Sequence, residues 1–207
     1  MAGDDPGQVD IMNMPHNYID YLSCHRNASP VLMNYARKKT AHDIEHATTR
    51  IDAKIRAMVS SVRLEIHRLS GFVRLTPLSD VVLHGNVRPH HDIGHMVCDR
   101  LARRHPRTII ILGNPRMTWI SLYTDKGLFK CRGGSLQSTL RFFKERLGDI
   151  GETSVSSLWS VYYDSQFRPQ RRDDALYRKS IPKKAEKAAA MNVERAHENE
   201  TLDAFMR

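Results

Sequence analysis

The stretch Glu65-Ile-His-Arg-Leu-Ser-Gly-Phe-Val-Arg-Leu75 limits the fold more than any other, because its apolar period changes partway through. Upstream, Ile44, Ala47, Ile51, Ile55, Met58, Val62, Ile66 and Leu69 recur every three or four residues, the spacing of one helical face. Downstream of Gly71 the apolar residues alternate as in a strand. Thr40 with Asp43 forms a capping-box pattern, and Ser70-Gly71 supplies a stop, so a single helix of about 28 residues is expected. A helix of that length can span a small domain of this size and needs no heptad partner.

The sheet follows in the sequence. Residues from Phe72 to Leu75 and from Val81 to Val87 read as a hairpin with a loop of about five residues around Thr76-Pro77. A helix from Asp92 to Arg104 comes next. A second hairpin, RTIIILG and MTWISLY, is joined by Asn114-Pro115-Arg116, and LFKC supplies a last short strand. Shorter helices are expected at YIDYL, at VLMNYARKK, from Ser135 to Leu147, and from Thr153 or Ser154 through Tyr163. The prediction is an α+β protein: an antiparallel sheet of four or five strands in the order β-β-α-β-β, flanked by a long N-terminal helix and C-terminal helices. Residues 1–39 read as a partly flexible helical lead-in, 40–165 as the core, and 166–207 as a basic segment with a helical tail that has no evident core to pack on.

Charge bears on partners. Lys and Arg number 32 against 23 Asp and Glu, a formal net charge of +9, which favours polyanionic partners. More than half of that excess lies between Gln166 and Lys187, where Arg168, Arg171, Arg172, Arg178, Lys179, Lys183, Lys184 and Lys187 face three acids. Phe167 and Tyr177 are interleaved there, giving guanidinium groups for phosphates and aromatic faces for bases. A solvated surface helix would have the same composition. No secretory signal or membrane-length apolar run is evident, and the three cysteines are far apart, so a reduced, cytoplasmic protein without membrane association is expected.

Enzyme signatures are sparse. The sequence has no phosphate-binding loop, dinucleotide glycine fingerprint, nucleophile elbow or CxxC pair, and no cysteine spacing for an iron–sulfur cluster on one loop. His91, His95 and Cys98 would share a helical face if the helix began near His91, which leaves a zinc site open beside the plainer reading of solvated histidines and a core cysteine. At the helix-to-strand junction, His67, Arg68 and Arg74 are expected to contact nucleic acid, with Glu65 orienting His67. A lone histidine at a helix end serves equally well as a cap.

Two separated stretches carry a family resemblance. EIHRLSGFVRL, with the strand through Leu83, Pro89-His90, a helix and the strand pair ending ISLY, is followed by LWSVYYDSQFRPQRRDDALYRKSIPKK from Leu158 to Lys184. Together they resemble a bacterial and phage domain of unknown function linked to DNA metabolism and to a radical S-adenosylmethionine enzyme. The resemblance spans Met58 to Lys184 and departs from the family after the Pro-basic run, where AEKAAAMNVERAH replaces aromatic residues. It implies a radical S-adenosylmethionine protein and DNA as partners. It places S-adenosylmethionine and an iron–sulfur cluster on that partner, with no cofactor or metal in this chain. Glu65, His67, Arg68, Arg74, His90, Arg171 and Arg178 are the matched positions.

The leading expectation is therefore a DNA-binding accessory subunit of a DNA base modification or repair system, with phage thymine hypermodification as one setting. Its binding residues would be Arg68, Arg74, Arg168, Arg171, Arg172, Arg178, Lys183 and Lys184. An alternative is an enzyme working directly on a nucleotide base by acid–base chemistry with His67, Glu65 and His90. A third is a protein-interaction module with a basic tail.

Overall fold

The helix expected from residue 40 to 69 is two helices. In a computed structural model, which describes residues 13–147 together with Lys183 and Ala188, α3 runs Ala41–His46 and α4 runs Arg50–Phe72. Ahead of them lie α1 (Tyr18–Cys24) and α2 (Pro30–Ala36), the latter capped by Ser29 with Pro30 in the first turn. Two consecutive capping boxes cause the break. Thr40 with Asp43 starts α3, Ala47 adopts the left-handed conformation (φ 47°), and Thr49 with Asp52 starts α4. The carboxyl groups of Asp43 and Asp52 sit below the usual carboxylate range because they accept these cap hydrogen bonds.

The stop is also later than Gly71. Gly71 stays helical, the helix ends at Phe72, and Val73 N–H closes the last turn on Leu69 O (2.9 Å). The first strand accordingly starts after Leu75, not before it: β1 is Thr76–Ser79, paired antiparallel with β2 (Val82–Asn86) across a tight turn at Asp80-Val81. Arg74 lies in the connection and not on a strand.

α5 (Gly94–Arg104) then leads to β3 (Ile109–Gly113), β4 (Thr118–Thr124), β5 (Gly127–Gly133) and α6 (Leu136–Leu147). The result is α+β, with a five-stranded sheet in the spatial order β1-β2-β3-β4-β5. Three of its pairs are antiparallel. β2 and β3 are parallel, which the helical crossover α5 makes possible. The first residue of α5 is glycine because the Trp119 ring lies over it, and a Cβ there would come within 2.5 Å of the ring atoms. The first turn of α5 is thus held close to β4.

One face of the sheet packs on α4 and α5. Ile110, Leu112 and Trp119 meet Val62, Leu69, Val97 and Leu101 in one core cluster. At about 1.5–3 kcal/mol for each fully buried large aliphatic side chain, this layer supplies much of the driving force for folding. A second cluster joins α1 and α2 to the first half of α4 through Tyr18, Leu22, Ile44, Ile55 and Val59. Tyr18 is buried with its hydroxyl donating to Ala36 O (2.6 Å). Ala188, in the tail for which no core was expected, is buried in the first cluster, and its carbonyl accepts from Arg88 N–H (2.7 Å). No helix among the described residues is long and apolar enough to cross a membrane.

Candidate functional site

Glu65 faces the loop that precedes α5. Position 65 sits on the side of α4 that looks toward residues 88–91, and its carboxylate grips two consecutive backbone amides. Oε1 accepts from His90 N–H (2.6 Å) and Oε2 from His91 N–H (3.1 Å). Successive amides pointing at one place form an anion-binding concavity, here filled from within the chain. Glu65 therefore fixes the loop, and it does not orient His67. Two residues apart on a helix are about 200° around its axis, and His67 is exposed on a different side.

Around this anchor the histidines cluster. His91 is buried, with its ring 4.4 Å from that of His25 and 5.0 Å from that of His90. Arg26 N–H donates to His91 Nδ1 (3.3 Å), so the neutral ring carries its proton on Nε2, which faces Ser61 Oγ at 3.0 Å and Glu65 Oε2 at 3.8 Å. The Ser61–His91–Glu65 grouping superficially suggests a hydrolase triad but is wired in reverse. Serine and carboxylate share one ring nitrogen, and that nitrogen is the donor, so His91 cannot take the Ser61 proton in this state.

The outer layer is cationic. Arg26 Nη1 lies 3.2 and 3.1 Å from the two ring nitrogens of His90, resting against the ring near Cε1 instead of along one lone pair. Arg26 and His90 are both exposed. Burial, then the charges of His90 and Arg26, push the His25 pKa down, with Glu65 opposing. Arg68, one turn along α4 from Glu65, lines a cleft with Ser61, Glu65, Leu69, His91 and Ala188. That cleft measures about 70 Å³, far below the roughly 300 Å³ at which small-molecule sites begin. It has room for water and not for a base.

The zinc arrangement left open by the sequence does not form. His91 precedes α5 and so cannot share a helical face with His95 and Cys98. Cys98 is buried within 3.3 Å of the carbonyls of Ile110 and Trp119, and burial pushes its thiol up to about 12, which withholds the thiolate a metal needs. Among the described residues no group of three His, Cys, Asp or Glu side chains is arranged to hold a metal ion.

The junction residues thus go to three places. Glu65 and Arg68 face the 88–91 loop, His67 is exposed, and Arg74 borders a separate cleft beside β2. Lys183 is helical and exposed, while Arg168, Arg171, Arg172, Arg178 and Lys184 lie outside the described residues. The sequence does not single out His25, Arg26 or Ser61 as parts of this site. Their contacts with the loop cross 30 to 66 positions of chain, and no local pattern announces them.

No curated protein and no solved structure matches the chain. A family model described as a domain of unknown function, DUF4130, matches residues 26–189, a span that takes in Arg26, α4, the pinned loop, the whole sheet and the basic segment. The chain belongs to that family.

Proposed function

We propose that the protein is a DNA-binding accessory subunit of a radical S-adenosylmethionine system that modifies or repairs DNA bases, with thymine hypermodification in a phage as one setting. The chain supplies the polyanion-binding surface, and the partner supplies S-adenosylmethionine and the iron–sulfur cluster. The observation that carries this reading is the arrangement around Glu65. The Glu65 carboxylate is spent on two backbone amides of the loop, Arg26, His90 and Arg68 lie around it as donors, and Asp92 at the end of the loop is the exposed acid beside them. Such a surface suits phosphate contacts, which position a protein on nucleic acid without reading sequence. The net charge of +9 and the basic run at residues 166–187 act in the same direction.

Acid–base chemistry by His67, Glu65 and His90 has less support. The Glu65 carboxylate is occupied by two amides, His67 is exposed on another side of α4, and the adjoining cleft is too small for a base. Fluorescence anisotropy of a labelled duplex and a labelled single strand at two salt concentrations tests the proposal. Binding that weakens steeply with salt supports it, and no binding at low salt refutes it.

A further inference from the structure

A second cleft, on the other side of the sheet, is the larger one. α6 starts flush against the end of β3: Leu136 N–H donates to Asn114 O (2.9 Å), and a Cβ on Gly113 would come within 3.1 Å of Leu136 Cβ. From that pinned start the helix stands off β1 and β2, leaving about 300 Å³ between Leu136 and Leu140 on one side and Thr76, His84 and Asn86 on the other, with Arg74 among the walls. Thr76 and His84 are paired in register, and Asn86 is two residues along β2, so all three share the face opposite α4 and α5.

Away from the cleft that face is mostly apolar, and its buried Thr118 is satisfied by donating to Gly134 O (2.8 Å). Val82 and Ile111 on it are fully buried, yet three polar side chains interrupt it at the cleft. Among the described residues Thr76, His84, Asn86 and Arg74 make no side-chain hydrogen bond. Burial and the nearby Lys144 hold the His84 pKa down, so near neutral pH the ring offers one donor and one acceptor, as the Asn86 amide does.

We propose that this cleft binds a single nucleotide unit, its phosphate on Arg74, its base edge on His84 and Asn86, and its base face against Leu136 and Leu140. The inference rests on the nucleic-acid reading above and deepens it, by giving an unstacked nucleotide of a bound strand somewhere to go. The chemistry of the walls selects the ligand. A bare phosphate would use Arg74 and leave the leucine ledge idle, and a purely apolar ligand would strand three polar groups without partners. A nucleoside monophosphate uses Arg74, His84, Asn86 and the two leucines together, and the volume of about 300 Å³ is at the lower end of the range for small-molecule sites.

Long-range proton–nitrogen NMR of the full chain, with the His84 ring assigned through His84→Gln, reads the site directly. The probes are the four deoxynucleoside 5′-monophosphates, inorganic phosphate, and two duplexes of equal length, one fully paired and one carrying a single bulged nucleotide. The inference expects monophosphates and the bulged duplex to shift His84, with phosphate leaving it in place. Leu140→Trp, which fills the cleft, and Asn86→Ala, an exposed change that keeps the test open if the first variant misfolds, should each weaken bulged-duplex binding about tenfold and spare the paired duplex. Binding of both duplexes with no response at His84 overturns the cleft and leaves the DNA reading intact. A His84 response to monophosphates without duplex binding keeps the cleft, assigns it to free nucleotides, and overturns the DNA reading. An equal response to phosphate reduces the site to an anion site and overturns the nucleotide assignment.

Discussion

Replacing Glu65 by Gln should cost stability out of proportion to a change of one atom on a half-buried side chain. The carboxylate accepts from two backbone amides at 2.6 and 3.1 Å with its side chain 12% exposed. Gln keeps one acceptor oxygen and turns an NH₂ group toward the other amide, which loses one charged hydrogen bond and sets donor against donor. Hydrogen bonds to charged groups are worth about 1.5–3 kcal/mol, and water reaching the exposed His90 amide offsets part of that. A loss of about 2 kcal/mol is expected, or roughly 4–8 °C in thermal midpoint for a chain of this size. Urea denaturation gives the free energy. Amide exchange at residues 90 and 91 locates it, since both should exchange faster in the variant while the sheet amides hold their order of protection. A variant within about 0.5 kcal/mol of the parent, or one with unchanged exchange at both positions, would refute the role assigned to Glu65.

Other consequences follow from the same geometry. Gly94→Ala forces a methyl to within 2.5 Å of the Trp119 ring, so a loss of about 1–3 kcal/mol or more in urea is expected, and an unchanged midpoint would mean that α5 can slide off β4. His25, His84 and His95 all have pKa values lowered first by burial, so the unfolded chain binds more protons below its own histidine pKa of about 6.5. Stability should therefore be full above that pH and decline as pH falls below it, more shallowly in His25→Asn, as a series of urea melts would show. Cys131 is exposed and should be alkylated at pH 8 in the folded protein, whereas Cys98, buried with its thiol pushed up to about 12, should react only after unfolding, as mass spectrometry of peptides reports.

The fold class was legible because the change of period is strong. The sequence spacing bridged the α3–α4 break: Ile44, Ala47 and Ile51 keep helical intervals across it, which hid the second Thr-x-x-Asp box at Thr49 even though it repeats the first. Glycine commonly ends helices, so Gly71 looks like a stop, but Val73 supplies the end and Gly71 remains helical. The parallel β2–β3 pair was within reach, since a helix between two strands allows a crossover that a hairpin does not. The site was less legible. Nothing near Glu65 in the sequence points to the amides of residues 90 and 91, and nothing near Ala188 points to Arg88, because those contacts are made by the tertiary fold. Arg74 and His84 share a cleft for the same reason, through the pairing of β1 with β2 and the stance of α6.

The salt dependence of duplex binding, measured for the parent and for a chain carrying Arg26→Ala and Arg68→Ala together, tests the central claim most directly. A surface that contacts phosphates through these two guanidinium groups should give a logarithmic salt slope shallower by about 1.8 in the double variant, roughly 0.9 for each lost contact, with the thermal midpoint unchanged. Equal slopes in the two proteins, or no binding by the parent at low salt, would contradict it.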